Sequence, residues 1–215
     1  MKHYYQAIKD LPVKLLTESY DYIKASDAAH NEEHIRAVVL GADSLCDMEG
    51  IVDRLQIITA ALLHDVGCSI KGGRDGHHIY STHIAKGLLS DYPELCTDSM
   101  IKAIIEHRAS FTGVRSGITS NIVAAADRGR PNAPVLILRA YLYTKEINDV
   151  DHDTAVRHAL DYNVSKYGSN GYARMRDNSL LMKYYSKEAI DIESIFDNAT
   201  VDYVEECLDK LTQTN

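Results

Sequence analysis

Hydrophobic residues recur along this chain at steps of three and four, the spacing of one face of an α-helix. Residues 11–26 carry Val13, Leu16, Tyr20 and Ile23 on such a face, and residues 31–48 carry His34, Val38, Gly41 and Leu45. Asn31 followed by Glu32 and Glu33 reads as a helix start, with acids beside the positive end of the helix dipole. Residues 51–66 are apolar nearly throughout, which predicts a deeply buried helix stopped by Gly67. Further helices are predicted over 77–90, 98–107, 119–128 and 134–146, with breaks at Pro93 and Pro131. The pattern continues with a helix over 153–166, a turn at Gly168-Ser169-Asn170-Gly171, and two more helices. Nowhere do apolar and polar residues alternate cleanly for six residues, so strands are not expected. The expectation is an all-α protein. A helical bundle occupies residues 1–150, and a helical extension, 151–215, packs on the same domain.

Composition narrows the function classes. A chain of 215 residues that is 45% hydrophobic and 25% charged can bury a core without metals or disulfides as props. Its 31 acidic and 23 basic residues give a net charge of −8, so a nucleic-acid polymer is not the expected partner. The longest apolar run, 57–63, is interrupted by Thr59, far short of the ~20 residues that span a bilayer, so no membrane partner is expected. The first six residues lack an apolar signal core. Cys46, Cys68, Cys96 and Cys207 are scattered with no CxxC pair, which predicts reduced thiols in a cytoplasmic protein and excludes zinc-finger chemistry.

The candidate chemistry lies in the histidines, of which there are ten. His64-Asp65 follows an apolar helix, and a charged Asp there is expensive to bury unless it is paired. A metal ion is one partner for adjacent His and carboxylate. A polar helix end before a glycine is the other reading. His34 stands on an apolar helix face, where a hydrogen-bonded core histidine is the alternative. His77-His78 closes the Gly-rich loop 68–76, His107 ends the helix before it, and Asp127 ends the apolar stretch 122–126. Five helix ends or faces thus each present a His or an Asp after apolar residues.

In this order and spacing, residues 30–130 resemble the HD-domain metal-dependent phosphohydrolases, whose motif runs H…HD…D. A dinuclear subgroup adds two histidines before the last Asp. His34, His64, Asp65, His107 and Asp127 match positions of that pattern. The intermediate histidine of the family usually precedes a small residue by four. His77 stands four before Ser81 and is chosen over His78 and His83. The resemblance implies one ion held by His34, His64, Asp65 and Asp127. It implies a second held by His77 and His107, with Asp65 bridging. Such a set suits iron, manganese, nickel or zinc, with magnesium also compatible. A water between the ions would act as hydroxide on phosphorus. Some dinuclear members carry a phosphate-binding Lys directly after His-Asp-x-Gly. Cys68 stands there in this chain, so Lys71 and Arg74 are the candidates to reach back, unless the loop is simply solvated. A redox-sensitive thiol and an inert buried one both fit Cys68.

Arg108, Arg115, Arg128 and Arg130 follow His107 and Asp127, and Arg suits phosphate oxygens; the first three are the substrate-binding candidates. Segment 166–176 mixes Tyr167 and Tyr172 with Lys166, Arg174 and Arg176; a base-stacking site and a plain interhelical turn both fit it. The resemblance implies a phosphohydrolase or phosphodiesterase acting on a small phosphate ester, a nucleotide or dinucleotide. The spacing from His107 to Asp127 looks most like the bacterial dinucleoside tetraphosphate hydrolases. The alternatives are an HD-type diiron oxygenase on a small anionic substrate and a non-catalytic nucleotide sensor. The C-terminal helices could support a homodimer.

Overall fold

A computed structural model of the chain describes residues 2–70 and 74–212, with only the backbone of Ala28, Arg74, Thr212 and residues 146–148. Among the described residues the chain is all-α, with eleven helices and no strand. It divides into two compact units, residues 1–129 and 130–215.

The first unit contains α1 (Lys2–Ile8), α2 (Val13–Lys24), α3 (Glu32–Glu49), α4 (Leu55–Leu63), α5 (His77–Leu88), α6 (Asp98–Glu106) and α7 (Ile118–Arg128). Helix α4 is its centre and packs against α3, α6 and α7. Seven of its nine residues are buried, as expected for a segment with no polar face. Ile35 of α3, Leu62 and Leu63 of α4, Ile104 of α6 and Ile122 of α7 are almost wholly enclosed. Burial of each such side chain contributes about 1.5–3 kcal/mol.

Local chemistry sets the helix ends. The Asn31 side chain accepts from the His34 amide at the start of α3, and Gly50, at φ 69°, closes its far end. Thr97 accepts from the Met100 amide at the start of α6. Gly41 of α3 faces Ala126 of α7; a Cβ on that glycine would stand 3.5 Å from the Ala126 Cβ. Two small residues thus let α3 and α7 approach closely, one residue away from Asp127.

The helix expected over 51–66 is shorter at both ends, starting at Leu55. Helix α4 ends at Leu63, not at Gly67, and Gly67 lies in a short 3₁₀ turn, Val66–Ser69. The glycine is required for proximity, not as a helix stop. A Cβ there would meet the Ser81 amide nitrogen at 2.5 Å and the Ser81 hydroxyl at 2.9 Å. The Gly67 amide donates to that hydroxyl at 2.9 Å, which joins the turn after α4 to the first turns of α5.

The second unit contains α8 (Ala133–Asn148), α9 (His152–Tyr167), α10 (Ser179–Asn198) and α11 (Val201–Thr212). Helix α8 packs on α9 and α11, and α9 packs on α10. The unit boundary thus falls ahead of α8, earlier than the 150 expected from the sequence, because α8 finds its packing partners among the helices that follow it. In segment 166–176, Lys166 Nζ lies 5.1 Å from the ring centres of both Tyr162 and Tyr167. Arg174 pairs with Asp177, and Arg176 with Glu193. These side chains bind one another across an interhelical turn. Arg130 also belongs to this unit, where it pairs with Glu188 at 2.8 Å. No described helix is long and apolar enough to cross a membrane.

Candidate metal centre

The ends of α4, α6 and α7 and the starts of α3 and α5 converge on one carboxylate, Asp65. His64 and Asp65 follow α4 directly, and Asp65 is 3% exposed. His34 sits in the first turn of α3, His77 opens α5, His107 follows α6, and Asp127 lies in the last turn of α7. All four histidines are buried.

The two oxygens of Asp65 face different partners. Oδ2 lies 3.3 Å from His34 Nε2 and 3.1 Å from His64 Nε2. Asp127 Oδ1 closes this group, 3.3 Å from His34 Nε2 and 3.7 Å from His64 Nε2. Asp65 Oδ1 lies 3.3 Å from both His77 Nε2 and His107 Nε2, and those two nitrogens are 3.1 Å apart. The donors fall into two sets, His34–His64–Asp65–Asp127 and Asp65–His77–His107.

Two histidines are aimed by the same local device. His64 Nδ1 is 2.8 Å from the Ala61 carbonyl, and His107 Nδ1 is 2.6 Å from the Ile104 carbonyl. Each carbonyl lies three residues back, among those left unsatisfied at a helix C-terminus. A carbonyl only accepts, so Nδ1 carries the proton and Nε2 presents its lone pair inward. This is the orientation of a metal-ligating imidazole.

The donor set fits divalent ions. Metal–nitrogen bonds of about 2.1 Å at angles near 90–110° place neighbouring ligands roughly 3.0–3.4 Å apart, and the separations above cluster there. His34 Nε2, His64 Nε2 and Asp65 Oδ1 are buried without a hydrogen-bond partner. Each such orphan costs about 1–3 kcal/mol, which a cation between them would relieve. Electrostatics point the same way. Burial opposes the charge on Asp65, yet His64, His30, His107 and His34 hold it well below the usual carboxylate range. Asp127 is held low against burial by His34 and His64. Against its own burial, His64 is pushed up to about 10 by Asp65 and Asp127. A site that attracts protons onto buried imidazoles also attracts metal cations, which bind the same lone pairs.

Beside the centre, residues 108–117 form a loop between α6 and α7. Its base is tied by the buried Glu106 carboxylate, which accepts from the Ser116 amide at 2.7 Å and from the Ser116 hydroxyl. Arg115 donates to the Glu106 and Arg108 carbonyls at 3.1 and 3.2 Å. Burial and the nearby Arg128 push the Arg115 guanidinium below its ordinary value. Arg128 is buried and donates to the Ala109 carbonyl at 3.3 Å, while Arg108 donates to the Asp75 carbonyl at 2.6 Å.

The structure brings His34, His64, Asp65, His77, His107 and Asp127 together. His78 is turned aside and half-buried, and His83 is exposed. Lys71 lies outside the described residues, and so does the side chain of Arg74. Sequence reasoning assigned no role to His30, whose donor nitrogen lies within 4.8 Å of Asp65 and of Cys68. The signal for it was Asp27, three residues earlier, a spacing that lets a carboxylate cap the turn carrying the histidine. Residues 31–132 match the family model of the HD domain. No curated protein and no solved structure matches the chain.

Proposed function

Given that the chain carries an HD domain over residues 31–132, we propose that it is a phosphohydrolase that uses two divalent ions to cleave a small phosphate ester, a nucleotide or dinucleotide. HD domains are in general metal-dependent hydrolases. The observation that carries the reading is the division of Asp65, whose two oxygens each face a separate group of buried imidazoles.

In this reading His34, His64, Asp65 and Asp127 hold one ion, and His77 and His107 hold the other with Asp65. Imidazole and carboxylate suit iron, manganese, nickel or zinc. The ions would supply a water of lowered pKa and polarise the phosphoryl oxygens. The chain's own residues do the rest. The carbonyls of Ala61 and Ile104 keep His64 and His107 in the ligating tautomer. Glu106 fixes the loop that carries Arg115. Arg115 spends two N–H groups on main-chain carbonyls, and its remaining donors suit phosphate oxygens. Arg128 and Arg108 add positive charge around the same loop, which favours an anionic substrate despite the net charge of −8.

The test is elemental analysis of protein purified without chelator or His tag, followed by turnover of mononucleotide and dinucleotide phosphate esters under air and under nitrogen. The expected result is about two ions per chain and phosphate release that needs no oxygen. Asp65→Ala should lose both ions and all activity. An Asp65→Ala protein with full metal content would sink the assignment. Oxygen consumption without phosphate release would replace hydrolysis with oxygenase chemistry.

A further inference from the structure

We propose that His30, Asp65 and Cys68 form a third donor group at this centre, one that takes a thiophilic divalent ion such as zinc or cadmium. Their donor atoms, a nitrogen, an oxygen and a sulfur, lie within 4.8 Å of one another.

His30 is prepared as a ligand by its surroundings. Its Nδ1 lies 2.6 Å from Asp27 Oδ1, and the same oxygen accepts from the amides of Ala29 and His30 at 3.0 and 3.1 Å. Asp27 is therefore fixed at the start of the short turn Ala28–His30. A carboxylate on Nδ1 keeps the proton there and leaves Nε2 to bind a cation, the arrangement in which ligating histidines are held. His30 thus has the same tied Nδ1 as His64 and His107, but its anchor is a carboxylate instead of a helix-end carbonyl. Its ring centre lies 5.9 Å from that of His34 and 6.1 Å from that of His77, so it belongs to the same cluster of rings.

Asp65, which the group shares with the two other sets, is almost fully buried. Cys68 is placed by the turn Val66–Ser69, whose Cys68 amide donates to the Asp65 carbonyl at 2.9 Å. The Cys68 sulfur lies within 4.8 Å of both the Asp65 oxygen and the His30 nitrogen. The two other donor sets that share this centre contain only nitrogen and oxygen. Sulfur makes this one softer, so zinc, cadmium and similar ions prefer it over manganese or magnesium. On binding, the thiol proton goes to water, and the ion is held by thiolate, carboxylate and neutral imidazole.

The test is titration of the full chain, stripped of metal, with cadmium, followed by the ultraviolet absorption of the cadmium–thiolate bond. The band is silent for ions on imidazole and carboxylate alone, so it reads this group apart from any hydrolysis. We expect a saturable band in the wild-type protein, abolished in Cys68→Ser and retained in Cys96→Ser. Asp27→Asn should weaken cadmium binding about 10- to 100-fold, as loss of an orienting partner does at metal sites. A wild-type protein without the band, or a band that survives Cys68→Ser, would overturn the proposal. An Asp27→Asn protein with unchanged affinity would remove His30 from the group.

Discussion

Asp65 can serve two groups of histidines because a carboxylate has two oxygens and because the chain leaves the helix at that point. At Asp65 the backbone turns to φ −115°, ψ 9°, so the side chain points past the end of α4 instead of along it. Two residues on, Gly67 lets α5 approach. Gly67→Ala would push its new methyl into the Ser81 amide and the His77 carbonyl. Such overpacking costs about 1–3 kcal/mol, readable as a lower urea midpoint. Because the displaced segment begins with His77, we expect metal content to fall from about two ions to about one. Unchanged stoichiometry in a destabilised Gly67→Ala protein would show that α5 can shift without moving His77.

At the scale of elements, the centre is built from helix termini. Side chains there can converge from different directions, and the backbone groups left over at the ends are available to orient them. Asn31 shows how this couples to stability. Its side chain caps α3 on the His34 amide itself. Asn31→Ala should cost about 1 kcal/mol by denaturant unfolding. The loop 108–117 depends on Glu106 in the same way. Glu106→Ala leaves the Ser116 amide without its acceptor and frees the segment that carries Arg115. The stability loss should be about 1–3 kcal/mol. Kinetically, we expect KM for the phosphate ester to rise severalfold with metal content unchanged. A variant that loses its metal instead would assign Glu106 to the support of His107.

For the whole molecule, the buried imidazoles and carboxylates make stability depend on metal. Without an ion, the orphaned atoms of His34, His64 and Asp65 remain buried at the heart of the first unit. An ion that binds only the folded chain stabilises it by about 2.7 kcal/mol at a hundred times its Kd. Manganese should therefore raise the melting temperature of the wild-type chain by several degrees and leave that of Asp65→Ala unmoved. A rise of equal size in both would place the ion elsewhere.

The helices were legible in the sequence because their signal is local. Apolar spacing set 98–107 and 119–128 within a residue or so of α6 and α7, and the Asn31 cap marked the start of α3. Ser81, four residues after His77, is where Gly67 approaches α5, and His77 Nε2 lies 3.3 Å from Asp65 Oδ1. Three features were decided only in three dimensions. Gly67 looked like a helix stop, but its role is set by a backbone fourteen residues away. Helix α8 continued the pattern before it and could not be assigned to the second unit, because periodicity says which face is buried and not against what. His30 had no apolar helix behind it. Its approach to Asp65 and Cys68 arises from a turn held by Asp27, and distances of that kind are fixed by the fold.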